Sequence, residues 1–261
     1  LGLVGSEMCI RDSSTTSRKN SAPLAQDAAT DNNWNTARPR TLVDHAVDAI
    51  LSAASRGLIL PGDRIAEPEL VAKLGMSRVP IREALRILES QGIVTSEPYK
   101  GIRLMEISHQ RLEQIIDVRI PLETLACRRA IEAGRNSAEQ LNQLYQGVAQ
   151  MQAMMQNDDV YGFASADTDF HRTLCSFAHN PVLSNLWESI ARQLTVIFGL
   201  STMGKSMSDI IEEHQRLINV FADGDIAKMT DEVENHIRIQ ALDVDYETLI
   251  TQRRQHRSAL G

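Results

Sequence analysis

The spacing of apolar residues divides the chain into segments of different character. Residues 1–37 are rich in small and polar residues with little hydrophobic periodicity, which predicts a disordered leader. The first 13 of them resemble translated sequencing-adapter sequence, so a native and a non-native origin of that part are both left open. Over residues 41–58 apolar positions recur on one helical face and predict the first stable helix. Residues 93–96 and 102–105 have the pattern of two short strands.

The rest of the chain lacks strand signals. From residue 108 onward, apolar residues recur at intervals of three and four between turn-forming segments, so we predict an all-α bundle of about six helices over residues 108–247. Pro121 falls within the first of these helices and is expected to kink or divide it. Residues 248–261 are interpreted as a C-terminal tail.

Residues 77–88 predict a helix with two different faces. Ser77 can cap its start by accepting the backbone N–H of Val79, and Pro80 falls in the first turn, where a missing N–H does no harm. At ~100° per residue the arginines form one stripe and the apolar residues another. The stripes consist of Arg78, Arg82 and Arg86, and of Ile81, Ala84, Leu85 and Leu88. The basic stripe suits major-groove reading, because Arg forks onto guanine or phosphate oxygens, but it also fits a solvated charged face.

The flanking segments complete a DNA-binding pattern. Residues 67–74 form a short predicted helix ended by a glycine, and the brief turn before Ser77 is typical of a helix-turn-helix. The two strands are joined by a hairpin tip where Lys100 can reach a phosphate or the minor groove. A short strand at Arg64 can pair with this hairpin and offers a further phosphate contact. We therefore predict a winged helix-turn-helix domain, helices with a small β wing, over residues 38–107.

Several motifs of this region resemble the winged-helix domain of the GntR family of bacterial transcription regulators. They are PGDRI at 61–65, EPEL at 67–70, LGMSRVPIREAL at 74–85 and LESQG at 88–92. The resemblance covers about residues 40–107 without a gap and implies DNA binding. The predicted DNA contacts are Arg64, Ser77, Arg78, Pro80, Arg82, Arg86, Lys100 and Gly101.

Composition limits the protein classes that remain. The 261 residues leave room for two domains. A net charge of −7 and a pI near 5.5 argue against nucleic-acid binding, but the acidic excess lies mainly after residue 107, so a small DNA-reading domain is compatible with it. The three cysteines are scattered, and no apolar run approaches the ~18 residues of a membrane span, so we predict a cytoplasmic protein without membrane association.

Four side chains of the predicted bundle suit one metal ion. Asp167 and His171 are four residues apart and therefore project from the same helical face, while His214 and His236 lie on later helices. Three neutral imidazoles and one carboxylate suit Zn²⁺, Ni²⁺ or another first-row divalent ion, and they leave positions open for water or a ligand. The spacing alone also fits a surface Asp–His hydrogen bond and histidines that only fill amphipathic helices.

The bundle resembles the FCD effector domain attached to FadR-like GntR regulators. The matching segments are DTDFHRTL at 167–174, HNPVL at 179–183, EH at 213–214 and the histidine at 236. In that family the Asp and His positions bind a metal that helps to hold a small carboxylate, which implies the same roles here. Arg119 matches a family Arg-x-x-x-Glu pattern and could clamp the carboxylate with a forked hydrogen bond, although a surface salt bridge to Glu123 fits equally well.

These features predict a ligand-responsive transcription regulator, a repressor rather than an activator. We expect a homodimer that binds a near-palindromic DNA operator and senses a small organic acid, with the effect transmitted through the helix that begins at Ser108. A metal-dependent enzyme acting on a small carboxylate is the rival interpretation, but no H-E-x-x-H motif or extra general base accompanies the metal ligands. A bundle that serves only for dimerisation is the third.

Overall fold

The computed structural model describes residues 40–97, 99 and 101–260. The predicted leader and Lys100 at the wing tip lie outside these residues. The N-terminal part contains three helices and three short strands, as expected for a winged helix-turn-helix. They are α1 (Leu42–Ser55), β1 (Arg64–Ile65), α2 (Glu67–Leu74), α3 (Arg78–Ser90), β2 (Val94–Glu97) and β3 (Gly101–Leu104).

Local signals set the ends of these helices. Thr41 and Asp44 form a reciprocal capping box at the start of α1. At the end of α2, Gly75 adopts a left-handed conformation with φ of 63°, which a residue with a side chain rarely adopts. Ser77 occupies the N-cap position of α3, but its hydroxyl makes no capping hydrogen bond, so only the position of the predicted cap is correct.

The strands form a small antiparallel sheet in the order β1, β3, β2. The register pairs Arg64 with Arg103 and Thr95 with Arg103, so the central strand β3 carries a hydrogen-bonded neighbour on each side. The pairing of the strand at Arg64 with the wing is therefore confirmed. Buried residues of α1, α3 and the sheet, including Ile50, Leu85 and Leu104, fill the space between these elements.

Six helices follow, as the apolar spacing predicted. They are α4 (His109–Glu132), α5 (Ala138–Gln156), α6 (Val160–Ser176), α7 (Pro181–Ser201), α8 (Met207–Asp223) and α9 (Ile226–Leu242). Pro121 does not divide α4, which continues for 24 residues. Proline removes one backbone hydrogen bond, but Ile116 and Ala126 are buried on either side of it, so core packing fixes both halves of the helix.

The segment interpreted as a C-terminal tail forms most of a further helix, α10 (Tyr246–Leu260). Only its first turns are buried, at Tyr246 and Ile250, and residues 251–259 are exposed and mostly polar. This polar part lies against the loop before β1. Arg257 donates to Asp63 at 2.8 Å, and Arg254 donates to the carbonyl of Pro61. The prediction of a tail is wrong because long-range ion pairs, and not an apolar stripe, dock the end of this helix.

The winged-helix part and the bundle share one continuous apolar core. Helices α1 and α7 approach closely, and a Cβ placed on Gly199 would lie 2.4 Å from the Cβ of Ser55. Ser55 also donates from its hydroxyl to the carbonyl of Thr195 at 3.2 Å. The two helices can approach this closely because Gly199 has no side chain.

Within the described residues, no helix combines the length and the apolar character that crossing a bilayer requires.

We expect Gly199→Ala to destabilise the protein by ~1–3 kcal/mol, because the added methyl overpacks the contact with Ser55. Chemical denaturation of the purified variant measures this. Gly147→Ala on α5 is the matched control. Its Cβ would come no closer than 3.3 Å to Phe170, against 2.4 Å at Gly199, and alanine favours the helix, so the change should cost clearly less. Equal stabilities of the two variants would contradict the proposed close packing.

Candidate functional site

The four predicted metal ligands converge in the bundle core. Asp167 and His171 lie on α6, His214 on α8 and His236 on α9, and all four side chains are buried. Candidate ligand atoms of the three histidines lie within 4.8 Å of one another. Asp167 Oδ1 is 3.3 Å from His214 Nε2 and 3.5 Å from His171 Nε2, and the Nε2 atoms of His171 and His236 are 3.2 Å apart. The alternative interpretation of Asp167 and His171 as a hydrogen-bonded pair at the surface is therefore excluded.

The three helices that bring these ligands together begin at side-chain caps. Asp159 accepts the N–H of Gly162 at the start of α6, and Ser206 and Asp225 cap α8 and α9 in the same manner. Each cap satisfies a backbone donor that the first turn leaves free. These local signals fix where each helix begins, and therefore which residues face the bundle interior.

Hydrogen bonds to the outer ring nitrogens orient two of the imidazoles. His171 Nδ1 lies 2.8 Å from Glu123 Oε2, and His214 Nδ1 lies 2.8 Å from the carbonyl oxygen of Ile210. Both acceptors favour a proton on Nδ1, which leaves the lone pair on Nε2 directed towards Asp167. Metal-binding histidines are oriented in this way by carboxylates and carbonyls. The donor set and its supports therefore fit a divalent ion.

Burial favours the neutral form of His171 and His236. It lowers the pKa of His171, with Glu123 opposing the shift, and it lowers the pKa of His236 well below the ordinary value. Neutral imidazole is the form that binds a metal, whereas a protonated ring has no lone pair to offer. The site is therefore prepared for a cation at neutral pH.

Arg119 and Glu123 form the expected ion pair, but it is buried rather than at the surface. Arg119 Nε donates to Glu123 Oε1, and the two side chains are only 2% and 1% exposed. The Arg119 guanidinium also lies over the ring of Phe198, 5.0 Å from its centroid. Burial alone would raise the pKa of Glu123, but Arg119 and His171 outweigh it and lower the pKa to about 2.

Glu123 is the functional residue that sequence reasoning missed. It receives hydrogen bonds from Arg119, His171 and Trp187, whose Nε1 lies 3.1 Å from Glu123 Oε1. It therefore connects α4, α6 and α7 at the edge of the histidine cluster. The available signal is its spacing of four residues from Arg119, which fits a carboxylate clamp by Arg119 and a surface salt bridge equally well.

The predicted DNA-reading stripe of α3 is exposed. Arg78, Arg82 and Arg86 all face solvent. Arg82 Nε is 2.8 Å from Glu67 Oε2 on α2, and this contact raises the pKa of Arg82. Arg86 lies 3.6 Å from Glu83. The contact with Glu67 uses Nε of Arg82, so the guanidinium has further N–H donors that can engage a base or phosphate.

The other predicted DNA contacts differ in accessibility. Ser77 and Arg64 are exposed, and the Arg64 guanidinium packs beside Gly101, where φ is +77°. Pro80 is buried with the apolar face of α3, so its side chain has no surface to offer DNA and that part of the prediction is corrected. Val79 was not predicted, yet it is 76% exposed beside the arginine stripe.

Comparison with known families matches both parts of the chain. Residues 42–104 match the bacterial regulatory proteins of the gntR family, and residues 114–239 match the FCD domain. The chain belongs to the GntR family. The resemblance inferred from the motifs is therefore confirmed, together with the mainly α fold of a winged helix-turn-helix and an FCD bundle.

Curated relatives of this GntR-family chain are transcriptional regulators. An uncharacterized HTH-type regulator of Agrobacterium vitis is 36% identical over 52% of this chain and 80% of its own length. The uncharacterized HTH-type regulator YdhC of Bacillus subtilis is 30% identical over 62% and 72%. A probable D-xylose utilization operon repressor of Paenarthrobacter nicotinovorans is 26% identical over 71% and 80%. These relatives favour a DNA-binding regulator over the rival interpretation as an enzyme.

The fold is also that of a solved regulator. The structure of E. coli McbR/YncC covers 82% of this chain and 99% of its own length, with a TM-score of 0.61 and 20% identity. At that identity the match supports the fold alone.

We expect Glu123→Ala to destabilise the metal-free GntR-family protein by ~3–5 kcal/mol, because it leaves the buried Arg119 charge without its carboxylate. Urea unfolding in the presence of a chelator measures the loss. Glu234→Ala removes an exposed pair with Arg238 of similar spacing, and it should cost less than about 1 kcal/mol. A comparably small loss for Glu123→Ala would show that the buried pair is not structurally important.

Proposed function

We propose that this GntR-family regulator is a homodimeric repressor of the bacterial cytoplasm whose FCD domain holds one divalent metal ion and senses a small organic acid. The convergence of Asp167, His171, His214 and His236 in the bundle core carries this proposal. Burying three imidazoles beside a carboxylate removes polar groups from water, and a divalent cation held between them would offset that cost.

The proposed metal ligands are the Nε2 atoms of His171 and His214, His236 and the carboxylate of Asp167. When bound, Zn²⁺, Ni²⁺ or another first-row divalent ion would supply a positive charge with coordination positions open to an incoming carboxylate. The His214 Nε2 atom faces Asp167 Oδ1 at 3.3 Å, a separation that is consistent with both atoms serving as ligands of one ion. Glu123 and the Ile210 carbonyl orient the rings for this role.

Arg119 is the proposed second contact for the acid. Its guanidinium lies against Phe198 and Glu123, and Glu123 in turn contacts His171. A guanidinium has five N–H donors, so an incoming carboxylate can share it with Glu123 rather than displace that residue. Because Arg119 is buried, the acid enters only if the surrounding helices move, which links its binding to a conformational change.

The exposed arginines of α3 support the DNA-binding half of the proposal. One winged helix contacts few base pairs, so we propose that a two-fold dimer binds an inverted repeat of double-stranded DNA. Relatives named as repressors of D-xylose and gluconate operons favour repression as the outcome.

We expect His214→Ala and His236→Ala each to lower the metal content of the purified protein well below one ion per chain, because each removes one of four ligands. Elemental analysis and isothermal titration with Zn²⁺ and Ni²⁺ measure the loss. His256→Ala on the exposed part of α10 is the matched control and should retain the metal. Unchanged stoichiometric binding in both core variants would reject the site. A wild-type protein that binds no metal would instead favour a bundle that only dimerises.

We expect Arg82→Ala to weaken binding to a selected operator by roughly tenfold or more, because a base or phosphate contact is lost. Arg64→Ala should weaken binding to all sequences and reduce the slope of log K against log salt by about one. The operator can be selected from random duplex DNA with the wild-type protein, and affinities can be measured by fluorescence anisotropy. Arg238→Ala on α9 serves as the control. A folded Arg82→Ala variant with wild-type affinity would show that this stripe does not read DNA.

A further inference from the structure

Helix α7 contacts the proposed metal site with one set of side chains. Trp187 donates to Glu123, the carboxylate that orients His171. Phe198 packs against Arg119 and lies 6.2 Å from the ring of His171. The position of α7 therefore depends on the residues that surround the proposed ion.

Other residues of α7 contact the DNA-reading domain. Arg192 Nη1 donates to Gln91 Oε1 at 2.7 Å, and Gln193 Nε2 donates to the backbone carbonyl of Gln91 at 2.8 Å. Gln91 is the residue directly after α3, the proposed recognition helix, so both bonds hold the C-terminal end of that helix. The contacts of Ser55 with Thr195 and Gly199 fix α7 against α1 as well.

The orientation of the Gln193 amide is fixed from both ends. Its oxygen accepts a hydrogen bond from Arg111 Nη2 at 2.7 Å, while its nitrogen donates to Gln91. Gln193 is only 7% exposed, so water competes little for either bond. Arg111 lies on α4 close to Ser108, and α4 is the helix through which the sequence predicts that the ligand effect reaches the DNA-reading domain. The hydrogen bond from Arg111 therefore connects α4 with α7 at Gln193.

We propose that Gln193 is a positioning residue through which α7 transmits the state of the metal site to the recognition helix. The proposal rests on the proposed metal-binding function and adds the route by which the site acts. Thr195 shows how direct this route is. Its hydroxyl lies 2.9 Å from that of Thr168, the neighbour of Asp167, while its carbonyl accepts from Ser55 of α1.

The physical basis is that a packed helix moves as a unit. A bound ion would be held by His171 and Asp167, and a change in their positions would alter the contacts of Glu123, Trp187 and Phe198, to which α7 would respond by a small shift. Gln193 converts that shift into a displacement of the end of α3. Metal and DNA must then influence each other's affinity by the same factor, since coupling between two binding sites is reciprocal.

The test measures this coupling factor. Zn²⁺ affinity is determined by isothermal titration with and without a duplex containing the selected operator, and operator affinity is determined with and without Zn²⁺. In the wild-type protein we expect the ratio of the two Zn²⁺ affinities to equal the ratio of the two operator affinities, at about fivefold or more. In Gln193→Ala the ratios should fall close to one, while Zn²⁺ still binds at one ion per chain.

Two further variants make the result specific. Gln193→Glu preserves the size of the side chain and the acceptor for Arg111 but removes the donor to Gln91, so it should also uncouple the sites. It supplies the test if Gln193→Ala fails to fold. Gln143→Ala, an exposed glutamine of α5, is the matched control and should retain the wild-type ratios.

The outcomes separate this inference from the function on which it rests. A wild-type protein that binds no metal rejects the metal site itself. If the wild-type protein binds Zn²⁺ stoichiometrically but both affinity ratios are one, transmission through α7 is rejected and the metal site is retained. Wild-type coupling that survives in folded Gln193 variants rejects the role of Gln193. Loss of DNA binding in both metal states would show that Gln193 supports α3 without transmitting anything, and it would overturn the proposal.

Discussion

The buried carboxylate of Glu123 joins three helices of the bundle. Removing a carboxylate from water is costly, and here Arg119 of α4, His171 of α6 and Trp187 of α7 compensate for it. The bonds from His171 and Trp187 also fix the positions of α6 and α7 relative to α4, because each hydrogen bond tolerates only a few tenths of an ångström. The same contacts turn the His171 ring towards Asp167. The histidine cluster and the packing of α4, α6 and α7 thus depend on one charged group.

The bundle and the DNA-reading domain are not two bodies joined by a flexible linker. Domains of one chain often move freely when their interface is small and polar. Here α1 packs closely on Gly199, the end of α3 is hydrogen-bonded to Gln193, and apolar core residues continue from one part into the other. Any response to a ligand must therefore be a small shift of packed helices rather than a free rotation of the DNA-reading domain.

Much of this organisation could be predicted from local signals. Gly75 and Ser77 mark the turn between α2 and α3, and the spacing of Asp167 and His171 placed both on one helical face. The sequence could not reveal the partners of Glu123, because a carboxylate four residues from an arginine has the same pattern at a surface and in a core. Pro80 was misplaced because the position of a first-turn proline does not tell which face is buried. The docking of α10 depends on residues almost two hundred positions away, so no local pattern could predict it.

The contact between α10 and Asp63 also bears on how the protein is made. Arg257 lies 194 residues after Asp63, so at ~5–20 residues per second the ribosome delivers it roughly 10–40 s later. The DNA-reading domain therefore emerges before α10, and during this interval Asp63 has no contact with Arg254 or Arg257. A newly made winged helix spends this interval without the α10 contacts to Asp63, which can form only after the helices of the bundle have been synthesised.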